Sequence, residues 1–136
     1  MKTLTRKEAG QSIRHACILH AEDDRLTAAA IARLLTIKGF SVDKAANGQE
    51  ALAKFMAHPT AYDLIITDQT MPFLSGEEWV TQLRGNGFTG KVVVYAASLP
   101  DNVLCHLHEL GVEKVVHKSE SLQSLLDAIQ ESLERQ

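Results

Sequence analysis

Three consecutive acids, Glu22-Asp23-Asp24, a fourth acid at Asp68 and a lysine at Lys118 are the residues whose types could act together chemically. Asp68 stands out because it closes a mostly apolar run, Tyr62-Asp63-Leu64-Ile65-Ile66-Thr67, and leads straight into Gln69-Thr70-Met71-Pro72. A buried strand has no use for a charge, so the run reads either as a strand ending in an ordinary turn or as one that delivers Asp68 to an edge. Taken singly, each acid reads as a solvated loop residue. Gathered at the ends of neighbouring strands, about 5 Å apart, they would repel and raise one another's pKa values. One ammonium group does not neutralise three carboxylates. A divalent cation does, and an all-oxygen site with room for water suits Mg²⁺.

The rest of the chain supplies the elements that could gather them. Five β-rich runs, residues 16–21, 40–45, 62–67, 92–97 and 112–117, alternate with helical patterns. The first helix is expected over about 25–38, with Ile31, Leu34 and Leu35 on one face and Gly39 as a left-handed stop. Asn47-Gly48 opens a second that His58-Pro59 ends, and a third runs from Ser75 to about Arg84. Asp101 is read as the cap of a fourth, stopped by Gly111, and Leu122, Leu125, Leu126, Ile129 and Leu133 form the apolar stripe of a fifth. Strand–helix alternation repeated five times predicts an α/β fold, a parallel sheet with helices on both faces. Ligands then bind at the carboxyl ends of the strands, where Glu22, Asp23, Asp68 and Lys118 all fall. Residues 1–15 lie outside the pattern and read as a tail or an extra helix; residues 16–136 form the domain.

With 136 residues, 45% of them hydrophobic, the chain suits one core. A net charge of −3 without a basic block argues against a nucleic-acid surface. No apolar run is long enough to span a bilayer, and the N-terminus lacks the apolar middle of a signal peptide, so a cytoplasmic location is expected. Cys17 and Cys105 stand 88 positions apart, each without the clustered partners a structural zinc site needs, and are read as plain thiols.

Glu22-Asp23-Asp24 after an apolar strand, "YDLIITDQTMPFLSG" and "GVEKVVHKS" strongly resemble the receiver domain of two-component response regulators, over residues 16–135. The resemblance implies the flavodoxin-like, doubly wound five-stranded parallel sheet with order 2-1-3-4-5. It also implies that Asp68 accepts a phosphoryl group from a histidine kinase or phosphotransfer protein. Glu22, Asp23, Asp68 and the backbone carbonyl of Thr70 would hold Mg²⁺, and Lys118 would pair with the phosphoryl oxygens. Such a domain is a phosphorylation-controlled binding module rather than a turnover enzyme, acting on an unidentified downstream protein. It could stand alone or be cut from a longer chain. The alternative is a degenerate receiver that binds its partner without phosphorylation.

The chain departs from the family pattern in three places. The hydroxyl residue expected to end the fourth strand is Ala96, with Ser98 a poorly placed substitute. The aromatic switch expected three residues before the lysine is Val115, and Ser119 replaces the common proline, so no cis peptide is implied. Readout is therefore expected to be weakened while acceptance is not. His20 and His117 read as histidines satisfied by backbone carbonyls, and Trp79 as a packing residue. "GNGFTG" at 85–90 matches a dinucleotide fingerprint but follows a helix instead of a strand, so it reads as a loop. Aspartyl-phosphate hydrolases need a second acid two residues after the nucleophile, and Thr70 is not one.

Overall fold

The computed structural model describes residues 15–134. Five strands alternate with five helices: β1 (Cys17–Ala21), α1 (Arg25–Ile37), β2 (Ser41–Ala45), α2 (Gly48–Ala57), β3 (Leu64–Thr67), α3 (Gly76–Gly85), β4 (Lys91–Ala96), α4 (Asp101–Glu109), β5 (Lys114–His117) and α5 (Leu122–Glu134). The strands form one parallel sheet in the order β2-β1-β3-β4-β5. The expected N-terminal tail or extra helix lies outside the described residues, apart from His15.

Alternation along each strand splits the core in two. Leu19, Ile65, Val92 and Val94 pack with Phe55 of α2, Trp79, Val80 and Leu83 of α3 and Leu107 of α4. Ile18, Leu64, Ile66, Val93 and Val116 pack on the other face with Ile31 and Leu35 of α1 and Leu125, Leu126 and Ile129 of α5. Full burial of each such aliphatic side chain stabilises by about 1.5–3 kcal/mol. β3 is covered on both faces, which is why its run is apolar without alternation.

Most element ends differ from expectation by one or two residues. β1, β2, β3 and β5 begin one or two residues later than expected; Ala16, Phe40 and Val112 are buried just before their strands, and Ala16 O still accepts from Ser41 N–H at 3.0 Å. Tyr62 precedes β3 and donates its hydroxyl to Asp43 Oδ2 at 2.6 Å. β4 runs one residue earlier than expected at both ends. Gly39 has φ +97°, the left-handed stop predicted after α1. Ser75 lies just outside α3, where it forms a reciprocal capping box with Glu78. Asp101 is not the cap of α4: Pro100 holds that position, with no side-chain hydrogen bond, and Asp101 is the first helical residue.

Candidate functional site

Register decides which side chains meet. Ala21 pairs with Thr67, so β1 and β3 end side by side, and Ala96 pairs with His117 at the neighbouring edge. The ladder pattern continues one step past the strands: Asp68 N–H donates to Ala21 O at 3.0 Å, Glu22 N–H to Ala45 O at 3.0 Å and Lys118 N–H to Ala96 O at 2.8 Å. Glu22, Asp68 and Lys118 thus leave the sheet from a fixed backbone.

Glu22, Asp23 and Asp68 each bring a carboxylate oxygen to within 4.8 Å of the others, and among the described residues they are the group able to hold a metal ion. Glu22 and Asp68 are buried; Asp23 is exposed. Lys118 Nζ bridges the buried two. It donates to Asp68 Oδ2 at 2.9 Å and lies 2.8 Å from Glu22 Oε1, close enough to pair in charge but off hydrogen-bonding line. The same ammonium stands 5.9 Å from the centre of the Tyr95 ring, within cation–π range. Asp68 Oδ1 accepts from Gln69 N–H at 2.7 Å, and Glu22 Oε2 from Asp24 N–H at 3.1 Å.

Burial pushes the Glu22 carboxyl up, and the opposing pull of Lys118 and Asp24 N–H does not cancel it. Burial pulls Lys118 down, but Glu22 and Asp68 outweigh it and hold the ammonium above its ordinary pKa. Three carboxylates against one ammonium leave two excess negative charges when all are ionised. Glu22 Oε1 is also a buried oxygen with no hydrogen-bond donor. An all-carboxylate donor set with an unsatisfied oxygen and excess negative charge fits a hard divalent cation.

The loop after β3 is shaped around Asp68. A Cβ on Gly76 would stand 2.3 Å from Asp68 O, so only glycine lets α3 begin this close to the acid. Thr67 Oγ1 donates to Asp68 O at 2.7 Å and accepts from Trp79 Nε1 at 2.8 Å, so the packing role expected of Trp79 comes with a polar anchor. Thr70, the expected carbonyl ligand, lies exposed in this loop.

Some sequence expectations fail here. Asp24, grouped with the other acids, accepts from Thr27 N–H and hydroxyl as the cap of α1, and those bonds lower its pKa. His20 is buried with neither ring nitrogen hydrogen-bonded, so no backbone carbonyl satisfies it. Burial lowers its pKa to about 4, helped by Lys118 and opposed by Asp68, which leaves the imidazole neutral at pH 7. His117 is exposed and Nδ1 accepts from Ser119 N–H at 3.1 Å, a backbone donor where a carbonyl was expected. No cis peptide bond occurs among the described residues, and neither cysteine is in a disulfide. Ala96 is buried at the end of β4 and contributes only its carbonyl; Ser98 is exposed. Val115 is 37% exposed on the edge strand.

The sequence profile of the response regulator receiver domain family matches residues 18–130. The chain belongs to that family. Among curated relatives, it is 34% identical over 109 residues to response regulator receiver protein Anae109_2439 of Anaeromyxobacter, covering 80% of this chain and 45% of that one. It is 30% identical over 119 residues to the response regulator ArlR of Staphylococcus aureus, covering 88% and 53% respectively. The receiver therefore spans about half the length of these relatives. Among solved structures, a receiver domain from Clostridium thermocellum superposes with TM-score 0.80 at 28% identity, covering 88% of this chain and 95% of that one. Chemotaxis protein CheY4 of Vibrio cholerae gives TM-score 0.79 at 25% identity, covering 88% and 99%. Receivers are signalling domains of two-component systems, and no described helix of this one is long and apolar enough to cross a membrane.

Proposed function

We propose that this receiver accepts a phosphoryl group on Asp68 from the phosphohistidine of a histidine kinase or phosphotransfer protein. The observation that carries the reading is Lys118 bridging Asp68 and Glu22 at the carboxyl ends of β1 and β3. Glu22, Asp23, Asp68 and the Thr70 carbonyl are the residues that would hold Mg²⁺. Bound there, the ion supplies counter-charge to the phosphoryl oxygens and to the carboxylates around them.

Asp68 provides the nucleophile. A carboxylate oxygen attacks phosphorus in line; the new O–P bond forms as the P–N bond to the donor imidazole breaks, and the nitrogen keeps the electron pair. Gln69 N–H and Lys118 orient the Asp68 carboxylate from its two oxygens. As the phosphoryl group arrives, Lys118 exchanges a carboxylate partner for phosphoryl oxygens. Its flexible stem suits that move better than a rigid guanidinium would. Glu22, pushed toward its neutral form by burial, favours ionisation once counter-charge is present. Thr70 offers no acid to protonate a leaving group, which supports an acceptor whose catalysis is limited to gaining and losing its own phosphoryl group.

The test is incubation with a small acyl-phosphate donor, with and without Mg²⁺, followed by peptide mass spectrometry. Label confined to Asp68, dependent on Mg²⁺ and absent in Asp68→Asn, is expected. Equal label in Asp68→Asn overturns the assignment, and none in the parent favours a phosphorylation-independent binding module.

A further inference from the structure

Gln69 makes three hydrogen bonds to three neighbours. Its N–H donates to Asp68 Oδ1 at 2.7 Å, its carbonyl accepts from Gly76 N–H at 2.8 Å, and its side-chain Oε1 accepts from Glu77 N–H at 2.7 Å. The first turn of α3 is therefore fastened to the peptide that carries Asp68. The close approach of Gly76, where a Cβ would also meet Gln69 Oε1 at 3.0 Å, leaves no slack between them. Glu77 reaches onward, its Oε2 2.7 Å from Nδ1 of His106 on α4. At the far end of α3, Arg84 Nε donates to the carbonyl of Leu110, the C-cap of α4, at 2.8 Å.

α4 is thus tied to α3 at two points, while its own start has no side-chain cap and follows the exposed residues Ala97 and Ser98. Its outer face, with Leu104, Cys105, His108 and Glu109, borders a groove of roughly 590 Å³ that also includes Val115. A shift of α4 would reshape that groove.

We infer that Gln69, Glu77 and His106 form a readout route from Asp68 to α4, replacing the route lost at Ala96 and Val115. The inference rests on Asp68 being the phosphoacceptor. A ligand shifts a conformational equilibrium only through contacts that differ between the two states. Gln69 N–H supplies one: it donates to a carboxylate, and hydrogen bonds to an ionised acceptor are about twice as strong as neutral ones. Phosphorylation makes the Asp68 carboxyl a neutral acyl group, so this bond weakens whichever oxygen carries phosphorus. Gln69 then resettles, α3's first turn follows, and Glu77 passes the displacement to His106.

The experiment compares amide chemical shifts over residues 101–110 before and after labelling with acetyl phosphate and Mg²⁺. Glu77→Leu removes the middle link, and His106→Leu removes the far one. Each should keep Asp68 labelling by mass spectrometry yet lose the α4 response, lowering the labelled state's preference for the shifted helix roughly fivefold or more. The double variant should lose no more than either single one. His106→Gln keeps a donor for Glu77 and should restore the response; if it fails as His106→Leu does, the histidine acts by packing and the route is wrong. A parental α4 response in either leucine variant also overturns it. An arm without phosphodonor separates this inference from the acceptor reading. Asp68→Asn neutralises the same oxygen and should perturb α4 shifts by itself, and Asp68→Asn/His106→Leu should not; unchanged α4 shifts in Asp68→Asn reject the route even if Asp68 never takes label.

Discussion

The carboxyl ends of β1 and β3 and those of β4 and β5 lie along one sheet edge, yet they are furnished in opposite ways. At the first pair, two buried acids and an exposed one converge with a lysine, and the acids' polar atoms are mostly engaged. At the second, Ala96 offers only a backbone carbonyl, and Val115, two residues before the end of β5, only a partly covered methyl pair. On the proposed reading, accepting a charge and reporting it fall to different residues, so that one set can be reduced while the other is kept. Lys118 belongs to both: its backbone is laddered to Ala96 while its ammonium serves Asp68.

The sharpest way to break that contrast is Lys118→Ala. Removing one partner of a buried ion pair costs about 3–5 kcal/mol. Lys118 is 24% exposed at its side chain, so the low end, about 3 kcal/mol, is expected in urea unfolding at pH 7. Val115→Ala at the other edge should cost about 1 kcal/mol or less. Equal costs would erase the distinction between the two edges.

His20 tests how strongly the sheet edge at Asp68 is desolvated. Its pKa falls from an ordinary 6.5 to about 4 on folding, so the unfolded chain binds more protons between those values. The sign follows: this contribution is complete above pH 6.5 and drains as pH falls through 4, by at most about 3 kcal/mol. His20→Val should remove that share of the acid slope and leave a protein more stable than the parent near pH 5. A parental slope in the variant would mean the imidazole is hydrated or paired in solution.

Asp23→Ala addresses the exposed member of the acid cluster. Mg²⁺ affinity, followed by NMR titration, should fall about tenfold or more, or about 1.4 kcal/mol. An affinity equal to the parent's would remove Asp23 from the site. Ala96→Thr addresses the other edge. A hydroxyl donating to a charged phosphoryl group can add about 1.5 kcal/mol, near tenfold in the active-to-inactive ratio. Shift changes over residues 97–100 should grow on phosphorylation, and Val115 should stop them from spreading along β5. No change at all would mean that Ser98 or another donor already fills the role.

The meeting of acids and lysine at one edge was legible because short segments carry it: an apolar run ending in Asp68, an acidic triplet, a lysine after a fifth strand. β-rich apolar runs and helical periodicity placed all ten elements, since both patterns follow from which faces are covered. What escaped depends on distances between segments. That Lys118 spans both buried acids, and that Asp24 turns away to cap α1, follows from register and helix direction. His20 was expected to find a carbonyl, but a side chain on a central strand faces helix-covered apolar neighbours whose backbone groups are already paired. The Gln69–Glu77–His106 chain links positions 8 and 29 residues apart, with nothing in residue type to announce it. Asp101 looked like a cap because Asp is a favoured one, whereas Pro100 at φ −61° and ψ 151° already sits in the extended conformation a cap position adopts.

The bond from Trp79 to Thr67 has an optical consequence. The chain holds a single tryptophan, fully buried, whose indole N–H meets a hydroxyl that itself leans on the carbonyl of Asp68. Indole emission is sensitive to the polarity and hydrogen bonding of that N–H. Ultraviolet-excited fluorescence at one wavelength therefore reads the backbone beside Asp68 without a label, a cofactor or a reporter fusion. Thr67→Val, which keeps the shape and removes the hydroxyl, would uncouple the lamp from the site while leaving it lit.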